Sequence, residues 1–402
     1  MSVNRILFLT DNFPPEVNAP AARTYEHARE WVEKGYNVTV LTSYPNFPQG
    51  KIYKGFKQKL VESKEKDGIK VIRVATIMFP NAGFTKRIID QLSYAVMAFL
   101  VGLFLKADII VATSPQFFTA ISGRLLSLFK FKPWIMEVRD IWPEAIATLG
   151  QLNKQSSSYK LLETIELRLY ASAKKVIVVT DSFKKDLEHR GVPPEKIVVH
   201  KNGVLLDNFR PLPMDEKLVN KYPQFRGKFI FGYVGTHGMA HGLKFILESL
   251  SEISEKMPSI HFVFIGEGSE KEKLIVFAEK QGLTNVTFIP LVPKNQIRRY
   301  LSLIDVALVN LIKSDTYKTV IPSKIFEAAS MQIPILLGLE GETKDIINEF
   351  NAGLCFEPEN RTDFIKQLKN ILNEDNYLQY QLGCKRLAQS FDRRQIALQV
   401  LE

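Results

Sequence analysis

The sequence has few cysteines, and its first residues do not read as a secretion signal. Only Cys355 and Cys384 occur among the 402 residues, and neither belongs to a Cys-x-x-Cys pair or to a cluster of Cys and His. This scarcity argues against a disulfide framework or a structural zinc site and fits a reducing compartment. Residues 1–10 run straight into an apolar strand and a polar loop, which is not the pattern of a signal peptide. We therefore expect a cytoplasmic protein.

A long uncharged apolar run is also missing. The longest candidate, Leu92–Leu105, has fourteen uncharged residues and lies between Lys86, Arg87 and Lys106. A membrane-spanning helix needs about 20 apolar residues, so this segment is too short to cross a bilayer. It predicts a helix that is either fully buried or apolar on a side that contacts lipid. With its basic flanks, the second interpretation predicts a peripheral protein on the inner face of the cytoplasmic membrane.

Positive charge is concentrated in the first half of the chain. Of the net charge of +10, residues 1–200 contribute 28 Lys and Arg against 19 Asp and Glu, whereas residues 201–402 contribute 25 against 24. The segment Lys51–Arg73 alone has eight basic and three acidic residues. Such a segment indicates either an anionic partner or a solvated loop. As partner we favour an anionic membrane surface over nucleic acid.

The order of apolar segments predicts two α/β domains. The length suits two domains, and short apolar strands alternate with helices in both halves. Non-alternating strands of this kind indicate parallel sheets that are covered on both faces. We expect a domain at 1–205, another at 206–385 and a C-terminal helix at 386–402 that packs towards the first domain. The turn-rich segment His200–Pro211 is interpreted as a hinge, with a cleft between the domains.

Two strand-end loops of the first half carry unusual residues. Ligands of parallel sheets bind at the carboxyl ends of the strands. The first loop, Pro14–Pro20, includes Pro15, Asn18 and Ala19. The other, Glu137–Glu144, crowds Glu137, Arg139 and Asp140 where a buried strand ends. Charges in such a place indicate a pocket, and the alternative is an ion pair between Arg139 and an acidic neighbour.

The second half contains a candidate site for a diphosphate. In the segment Val320–Ala329, Ser323 is expected to cap a helix that begins at Lys324. Lys324 and Glu327 would then share one face of the first turn, where an ammonium suits a diphosphate and a carboxylate suits ribose hydroxyls. The alternative is an ordinary capped helix with an exposed Lys–Glu pair.

Two glycine-bearing strand ends support a nucleotide pocket in the same half. Val234–Gly242 and Ile265–Gly268 each lead from a strand towards a helix, so their backbone N–H groups are able to hold phosphate oxygens. Neither has the spacing of a P-loop or of a dinucleotide fingerprint. Each alone is equally compatible with a tight turn. No Asp-x-Asp pair occurs at a strand end, so we expect no metal requirement and no cofactor.

Motifs along nearly the whole chain resemble one enzyme family. They are Phe8–Pro15, Ala173–Val179, Asn202-Gly203, Gly232–Gly235, Phe264–Gly268, Asp305–Leu308 and Pro322–Glu327. In this order they resemble the retaining glycosyltransferases of family 4, which have two Rossmann-like domains facing each other across a cleft (the GT-B fold). Glu137–Pro143 and Pro322–Glu327 are similar to a subgroup, the N-acetyl-L-fucosamine transferases of bacterial O-antigen and capsule assembly.

The resemblance implies a nucleotide-diphospho-sugar donor, a UDP-sugar or a related compound, bound by the second domain. Lys324 would contact the diphosphate, Glu327 the ribose and the backbone at Leu291–Pro293 the base, with Gly235 and Thr236 beside the phosphates. The other donor-site residues that the resemblance implies are His237, Glu267, Val292, Pro293, Thr319 and Ser323.

The chain departs from the family pattern at three places. The acid expected eight residues before Glu327 is Thr319, which favours a deoxy or acetamido sugar over a hexose with a full set of hydroxyls. Arg139 replaces the family's histidine. Asn18-Ala19 replaces a glycine pair.

The reaction implied by the resemblance is transfer of a sugar, with retention, to a polyprenyl-diphosphate-linked saccharide. Lys324 would stabilise the departing diphosphate. Asp140 would position the acceptor, with Glu137 behind it and Arg139 assisting. Two alternatives remain open: a sugar-nucleotide 2-epimerase on the same fold, and a catalytically inactive sugar-nucleotide-binding protein.

Overall fold

The computed structural model describes residues 4–16, 18–47, 49–79, 84–114, 117–148, 152–253 and 256–401. The chain forms two compact units. The first comprises residues 1–201 together with 394–402, and the second comprises residues 202–393.

The first unit contains an eight-stranded sheet. Its strands are β1 (Arg5–Leu9), β2 (Asn37–Ser43), β3 (Val61–Lys66), β4 (Ile69–Val74), β5 (Ile109–Thr113), β6 (Trp134–Val138), β7 (Lys175–Val178) and β8 (Ile197–Val199). They lie in the order β3-β4-β2-β1-β5-β6-β7-β8, and every pair is parallel except β3 with β4. Its helices are α1 (Ala19–Glu33), α2 (Phe84–Gly102), α3 (Phe117–Lys130), α4 (Glu144–Thr148), α5 (Ser157–Ser172) and α6 (Asp181–His189).

Both faces of this sheet are covered, which explains why its strands are apolar without alternation. Buried residues of α2, α3 and α5, such as Tyr94, Phe117 and Leu169, form the core on one face. Trp31 of α1 and Val400 near the C-terminus belong to the core on the other face. The indole N–H of Trp31 donates to the carbonyl of Ala397 over 2.6 Å and holds the C-terminal segment in place.

The second unit contains a six-stranded parallel sheet. Its strands are β9 (Phe229–Val234), β10 (Ile260–Ile265), β11 (Val286–Ile289), β12 (Val306–Asn310), β13 (Ile335–Gly338) and β14 (Gly353–Phe356), in the order β11-β10-β9-β12-β13-β14. Its helices are α7 (Glu216–Lys221), α8 (Leu243–Leu250), α9 (Lys271–Lys280), α10 (Ile297–Leu301), α11 (Lys324–Ser330), α12 (Glu342–Phe350), α13 (Arg361–Ile371) and α14 (Glu374–Ser390). The final helix, α15 (Arg393–Gln399), falls almost entirely in the first unit. The predicted α/β architecture is confirmed in both units.

Two strands of the structure, β3 and β14, were not predicted from the sequence. β3 lies inside the basic segment Lys51–Arg73 and pairs with β4 through a turn at Asp67 and Gly68, whose φ values are +52° and +75°. The interpretation of this segment as a solvated loop is therefore wrong for Val61–Lys66. β3 is an edge strand, and charged residues are common there because they discourage pairing with another chain. The other missed strand, β14, has only four residues.

The uncharged segment Leu92–Leu105 lies largely in α2, which ends at Gly102. The interpretation as a fully buried helix is wrong, because Leu92, Val96 and Leu100 are each about half exposed. Their spacing of four places them on one outer face of the helix. Across the parts of the chain that the structure describes, no helix combines the length and the apolar character needed to cross a bilayer.

Candidate functional site

Two glycine loops meet at the carboxyl ends of β9 and β10. The N–H of Gly235 donates to the carbonyl of Ile265 over 2.9 Å, and Gly266 has a φ of +145°. A Cβ atom on Gly266 would lie 2.0 Å from the carbonyl oxygen of Gly235. Glycine is therefore required here, because the two backbones approach too closely for any side chain.

The next residues of both loops are also tied together. The N–H of His237 donates to the carbonyl of Glu267, and the N–H of Glu270 donates to the carbonyl of His237, each over 2.9 Å. The phenol of Tyr233 donates to the carbonyl of Thr236 over 2.7 Å. The structure thus brings together Gly235, Thr236, His237 and Glu267, four residues that the sequence analysis placed in the donor site.

Lys324 lies against the same loop. Its ammonium is 4.0 Å from the centre of the Tyr233 ring, in a cation–π contact. A Cβ atom on Gly235 would lie 2.9 Å from the ammonium nitrogen, so the charge sits directly beside this glycine. Although the residue as a whole is half-buried, its ammonium is so enclosed by protein that loss of water lowers its pKa to about 8, and Glu327 opposes the shift. A poorly solvated ammonium at a glycine-lined strand end is suited to an anionic ligand.

The expected capping role of Ser323 is wrong. Its backbone already has helical angles, φ −58° and ψ −25°, and its side chain makes no capping hydrogen bond. A capping hydroxyl reaches the N–H groups of the first turn from an extended backbone, which Ser323 lacks. The carbonyl of Ser323 instead accepts the N–H of Phe326 over 3.1 Å. Ser323 is an exposed residue, and its role in donor binding stays a prediction.

Buried polar atoms without a protein partner surround this site. In the described part of the chain, both ring nitrogens of His237, Nδ1 of His241 and Oδ1 of Asn310 have no hydrogen-bond partner. Burial, followed by the charge of Lys271, lowers the pKa of His237 to about 4. Burial and Lys324 lower the pKa of His241 to about 4 as well. Both rings are neutral at pH 7, and each is able to donate one N–H to a ligand.

His241 and Asn310 also belong to this site, although they were not predicted from the sequence. The amide of Asn310, the last residue of β12, donates to the carbonyl of His241 over 2.8 Å and so supports the loop before α8. A polar residue at the end of an otherwise apolar strand was the available signal for Asn310. For His241 the signal was its place just before Gly242, whose φ of +57° starts α8.

The remaining predicted donor residues lie at the next strand ends. The N–H of Leu291 donates to the carboxylate of Glu267 over 3.4 Å, which links the segment containing Val292 and Pro293 to the β10 loop. The same carboxylate pairs with Lys271 over 2.7 Å. Thr319 ends a short 3-10 helix, and its hydroxyl donates to the carbonyl of Thr316 over 3.2 Å.

In the first unit, Glu137 is held in a buried ion pair. Its carboxylate accepts the Nε–H of Arg23 of α1 over 2.9 Å and lies 2.7 Å from Nη2 of the same guanidinium in an ion pair, and both side chains are 4% exposed. Burial raises the pKa of Glu137, but the charges of Arg23, His27 and Arg139 outweigh it and hold the pKa at about 2. The main partner of Glu137 is thus Arg23, which the sequence analysis did not identify.

Arg139 and Asp140 follow β6 directly. The backbone N–H of Arg139 donates to the hydroxyl of Ser114, just after β5, over 2.8 Å. Asp140 is an exposed residue, yet its carboxyl is close enough to protein that loss of water raises its pKa, and Arg139 opposes the shift. A partly desolvated carboxyl group such as that of Asp140 is suited to bind a hydroxyl group of a ligand at this edge of the sheet, where the strands end.

In the first loop, Pro14–Pro20, at least one of the residues predicted to belong to the site has a structural role. The side-chain oxygen of Asn18 accepts the N–H of Ala21 over 2.9 Å and caps α1, which begins at Ala19. Pro15 follows Pro14 through a cis peptide bond. Next in the chain, the carboxylate of Glu16 is buried and accepts the N–H groups of Asn46 and Phe47 over 2.8 and 2.9 Å. Asn18 and Glu16 therefore connect the described part of this loop to α1 and to the segment after β2.

Asp11, two residues after the end of β1, is a further candidate that the sequence alone did not indicate. Its Oδ1 is buried without a hydrogen-bond partner in the described structure. Burial, with the charges of Asp90 and Glu16, raises its pKa to about 7. Burial likewise raises the pKa of Asp90 to about 6. Carboxyl groups with such raised pKa values are frequent at functional sites.

Within the described ranges, no group of three or more His, Cys, Asp and Glu side chains is placed to hold a metal ion. The expectation that the protein needs no metal stays a prediction.

Two family models match the chain, one for each half. A family described as Glycosyltransferase Family 4 matches residues 21–208, and a family described as Glycosyl transferases group 1 matches residues 214–383. Probable glycosyltransferase WbjE of Pseudomonas aeruginosa is 24% identical over 305 residues, which cover 74% of this chain and 75% of that protein. Putative colanic acid biosynthesis glycosyl transferase WcaI of Escherichia coli K12 is 24% identical over 379 residues, 92% of each chain.

Solved structures show the same fold. The crystal structure of HepE from Anabaena in complex with UDP-glucose superimposes with a TM-score of 0.69, covers 100% of this chain and 98% of that chain, and is 14% identical. At this identity the likeness concerns the fold alone. It agrees with two Rossmann-like domains, as the resemblance implied.

Proposed function

Because this chain belongs to the glycosyltransferases with the GT-B fold, we propose that it moves a sugar from a nucleotide-diphospho-sugar to a lipid-linked saccharide, with retention of configuration and without a metal. The product would be part of a bacterial surface polysaccharide. The name of WcaI, a putative colanic acid biosynthesis glycosyl transferase, supports this setting.

The observation that carries the proposal is the state of Lys324 and its surroundings. The ammonium lies beside Gly235 with lowered pKa, and the nearby imidazoles of His237 and His241 have buried nitrogens without partners. Such groups are costly to bury unless a ligand completes their hydrogen bonds. A nucleotide diphosphate would do so, and its charge would be stabilised most as the sugar bond breaks. The HepE complex with UDP-glucose supports this ligand class.

The remaining predicted site residues would bind other parts of the donor and the acceptor. Glu327 would bind the ribose, and the segment at Val292 and Pro293 the base. Thr319 offers a neutral hydroxyl near the sugar, which suits a deoxy or acetamido group. In the first unit, Asp140 would bind the acceptor hydroxyl, and Arg139 would orient the acceptor's phosphates.

The proposal is tested by measuring release of nucleotide diphosphate from a panel of UDP-, GDP- and dTDP-sugars. Each donor is offered with and without lipid-diphosphate-linked saccharides. We expect release that depends on the acceptor for one nucleotide, fastest with a deoxy or acetamido sugar. Consumption of the donor without any diphosphate release would instead indicate an epimerase. Donor binding without turnover across the whole panel would indicate a binding protein.

A lipid-linked acceptor requires contact with a membrane, and we propose the outer face of α2 for this contact. Leu92, Val96 and Leu100 lie about half exposed on this face, and Phe104 just beyond the helix is 88% exposed. Lys130 fixes the segment after α2, because its ammonium donates to the carbonyls of Leu103 and Leu105 over 2.8 and 2.7 Å. Apolar side chains near basic residues suit the surface of an anionic bilayer.

We expect Leu100→Ser with Phe104→Ser to weaken binding to phosphatidylglycerol-rich vesicles by about tenfold or more, because two inserted apolar side chains are lost. The measurement is co-sedimentation with vesicles at low and high salt. The control is Val276→Ser with Leu378→Ser, which removes two exposed apolar side chains from the second unit. If both double variants bind vesicles like the unchanged protein, α2 is not the contact surface.

A further inference from the structure

A depression lies between α3 and α5 in the first unit. Its volume is about 600 Å³, and its lining residues are Ile121, Arg124, Ile165, Arg168, Leu169, Ala171 and Ser172. The size falls within the usual range for small-molecule sites, ~300–1,000 Å³. Because a helix that follows a parallel strand runs back towards the amino ends of the strands, this depression lies away from the strand-end loops that hold Asp140. The indole N–H of Trp134, the first residue of β6, donates to the carbonyl of Ser172 over 3.1 Å, which places the end of α5 beside the amino end of this strand.

The depression combines positive charge with apolar walls. In the described part of the chain, neither Arg124 nor Arg168 forms an ion pair or a hydrogen bond. A third cation is close by, because the ammonium of Lys196 donates to the carbonyl of Ala171. The acidic residues of α5 do not neutralise the arginines, since Glu163 and Glu166 pair with Arg190. No carboxylate is among the lining residues.

We propose that this depression binds the phosphate group of an anionic phospholipid. Guanidinium groups suit phosphate because their fixed N–H donors form paired, charge-assisted hydrogen bonds with its oxygens. The space exceeds what an isolated phosphate fills, and Ile121 and Ile165 would contact the hydrocarbon part of the lipid. Leu128, four residues after Arg124 on the same face of α3, is 47% exposed and extends this apolar wall. A phosphate that carries a hydrocarbon tail satisfies both the arginines and the apolar wall.

The site deepens the proposed membrane contact and rests on it for the source of the lipid. The helices α2, α3 and α5 all pack on one face of the β-sheet of the first unit, so their outer sides belong to the same side of that unit. The outer face of α2 would supply general adhesion to the bilayer. The two arginines would hold one lipid headgroup and so fix how the unit is rotated on the surface.

The test uses the full chain and a short-chain lipid that stays monomeric in solution. Dihexanoyl phosphatidic acid, dihexanoyl phosphatidylcholine and inorganic phosphate are titrated separately by calorimetry. We expect phosphatidic acid to bind at least about tenfold more tightly than inorganic phosphate, and phosphatidylcholine to bind weakly. Arg124→Gln with Arg168→Gln should weaken phosphatidic acid binding by about tenfold or more. The matched control, Lys185→Gln with Lys344→Gln, removes two charges from exposed positions in α6 and α12 and should bind like the unchanged protein.

Each result decides one part of the proposal. Unchanged binding by the arginine variant places the lipid elsewhere and overturns the site. If inorganic phosphate binds as tightly as phosphatidic acid, the depression is a simple anion site and not a lipid site. If phosphatidylcholine binds as tightly as phosphatidic acid, the negative charge of the lipid is not recognised. Donor binding by the arginine variant is measured as a folding check, and Arg124→Lys with Arg168→Lys keeps the charge if the glutamine variant is unstable. The soluble lipid separates this site from the rest of the proposal, because its binding requires neither a bilayer nor sugar transfer.

Discussion

Replacement of Lys324 by methionine is expected to lower the rate of sugar transfer by about 100-fold or more, with a smaller loss of donor affinity. The ammonium lies beside Gly235 and over the ring of Tyr233, where it is poorly solvated. A charged donor aimed at a developing anion stabilises the transition state more than the bound substrate, and loss of one such donor costs ~10²–10³ in rate. Methionine keeps the length and apolar stem of the side chain while removing the charge. The measurement is nucleotide diphosphate release at saturating donor, combined with calorimetric titration of the donor.

The control for this prediction is Lys344→Met, which removes an exposed lysine from α12 in the same unit. It should leave both the rate and the affinity unchanged. If Lys324→Met transfers sugar as fast as the unchanged protein, the diphosphate binds elsewhere and the donor site is misplaced. If both variants lose activity together, charge in general rather than this ammonium is responsible.

The pH dependence of donor affinity gives an independent check on Lys324. Because its pKa is lowered to about 8, the ammonium is charged below this pH and becomes neutral above it. We therefore expect donor affinity to be highest below pH 8 and to fall as the pH rises through 8. His237 and His241, with pKa values of about 4, stay neutral on both sides of this step. Arginine does not lose its proton in this range, so the step should disappear in Lys324→Arg.

The strands and helices of both units were largely predictable because most of the strands bury both of their faces. At Trp134–Val138 and Phe229–Val234, for example, the largely apolar sequence indicates a strand, and the structure forms β6 and β9 with these bounds. β3 was not predictable in the same way, since its sequence Val-Glu-Ser-Lys-Glu-Lys is mostly exposed at the edge of the sheet. Its pairing depends on the turn at Asp67 and Gly68 rather than on burial.

Residues of the candidate donor site could be predicted when they belong to a motif at the end of a strand. They could not be predicted when they depend on a contact between distant segments of the chain. Gly235, Glu267 and Lys324 each follow or lie near a strand end, so the parallel sheet alone brings them to one edge. The support of His241 by Asn310 joins residues 69 positions apart, and no local pattern indicates it. Ser323 is a case in which the residue type was misleading. Serine is a favourable capping residue, but the backbone angles of Ser323 do not permit a cap.

Glu137 shows how strongly a single distant partner alters an interpretation. The sequence places it in a charged loop and favours a catalytic role behind Asp140. The structure buries it against Arg23, which lies 114 positions earlier in the chain. We expect Glu137→Gln to lower the free energy of unfolding by about 3–5 kcal/mol, because the guanidinium of Arg23 is left buried without its countercharge. Urea denaturation at pH 7 measures this loss. Glu252→Gln breaks the exposed pair with Arg361 and should cost less than about 1 kcal/mol.

Two further measurements separate this structural role from a catalytic one. The pKa of Glu137 is about 2, below its usual value of 4.5, so the ion pair contributes fully above pH 4.5 and is lost as the pH falls from there towards 2. The stability difference between the unchanged protein and Glu137→Gln should shrink over that window. Replacing both partners, as Arg23→Met with Glu137→Leu, should restore much of the stability because the buried guanidinium is removed together with its carboxylate. If Glu137→Gln instead keeps full stability and loses only the rate of transfer, Glu137 acts in the reaction, and its pairing with Arg23 serves to orient it.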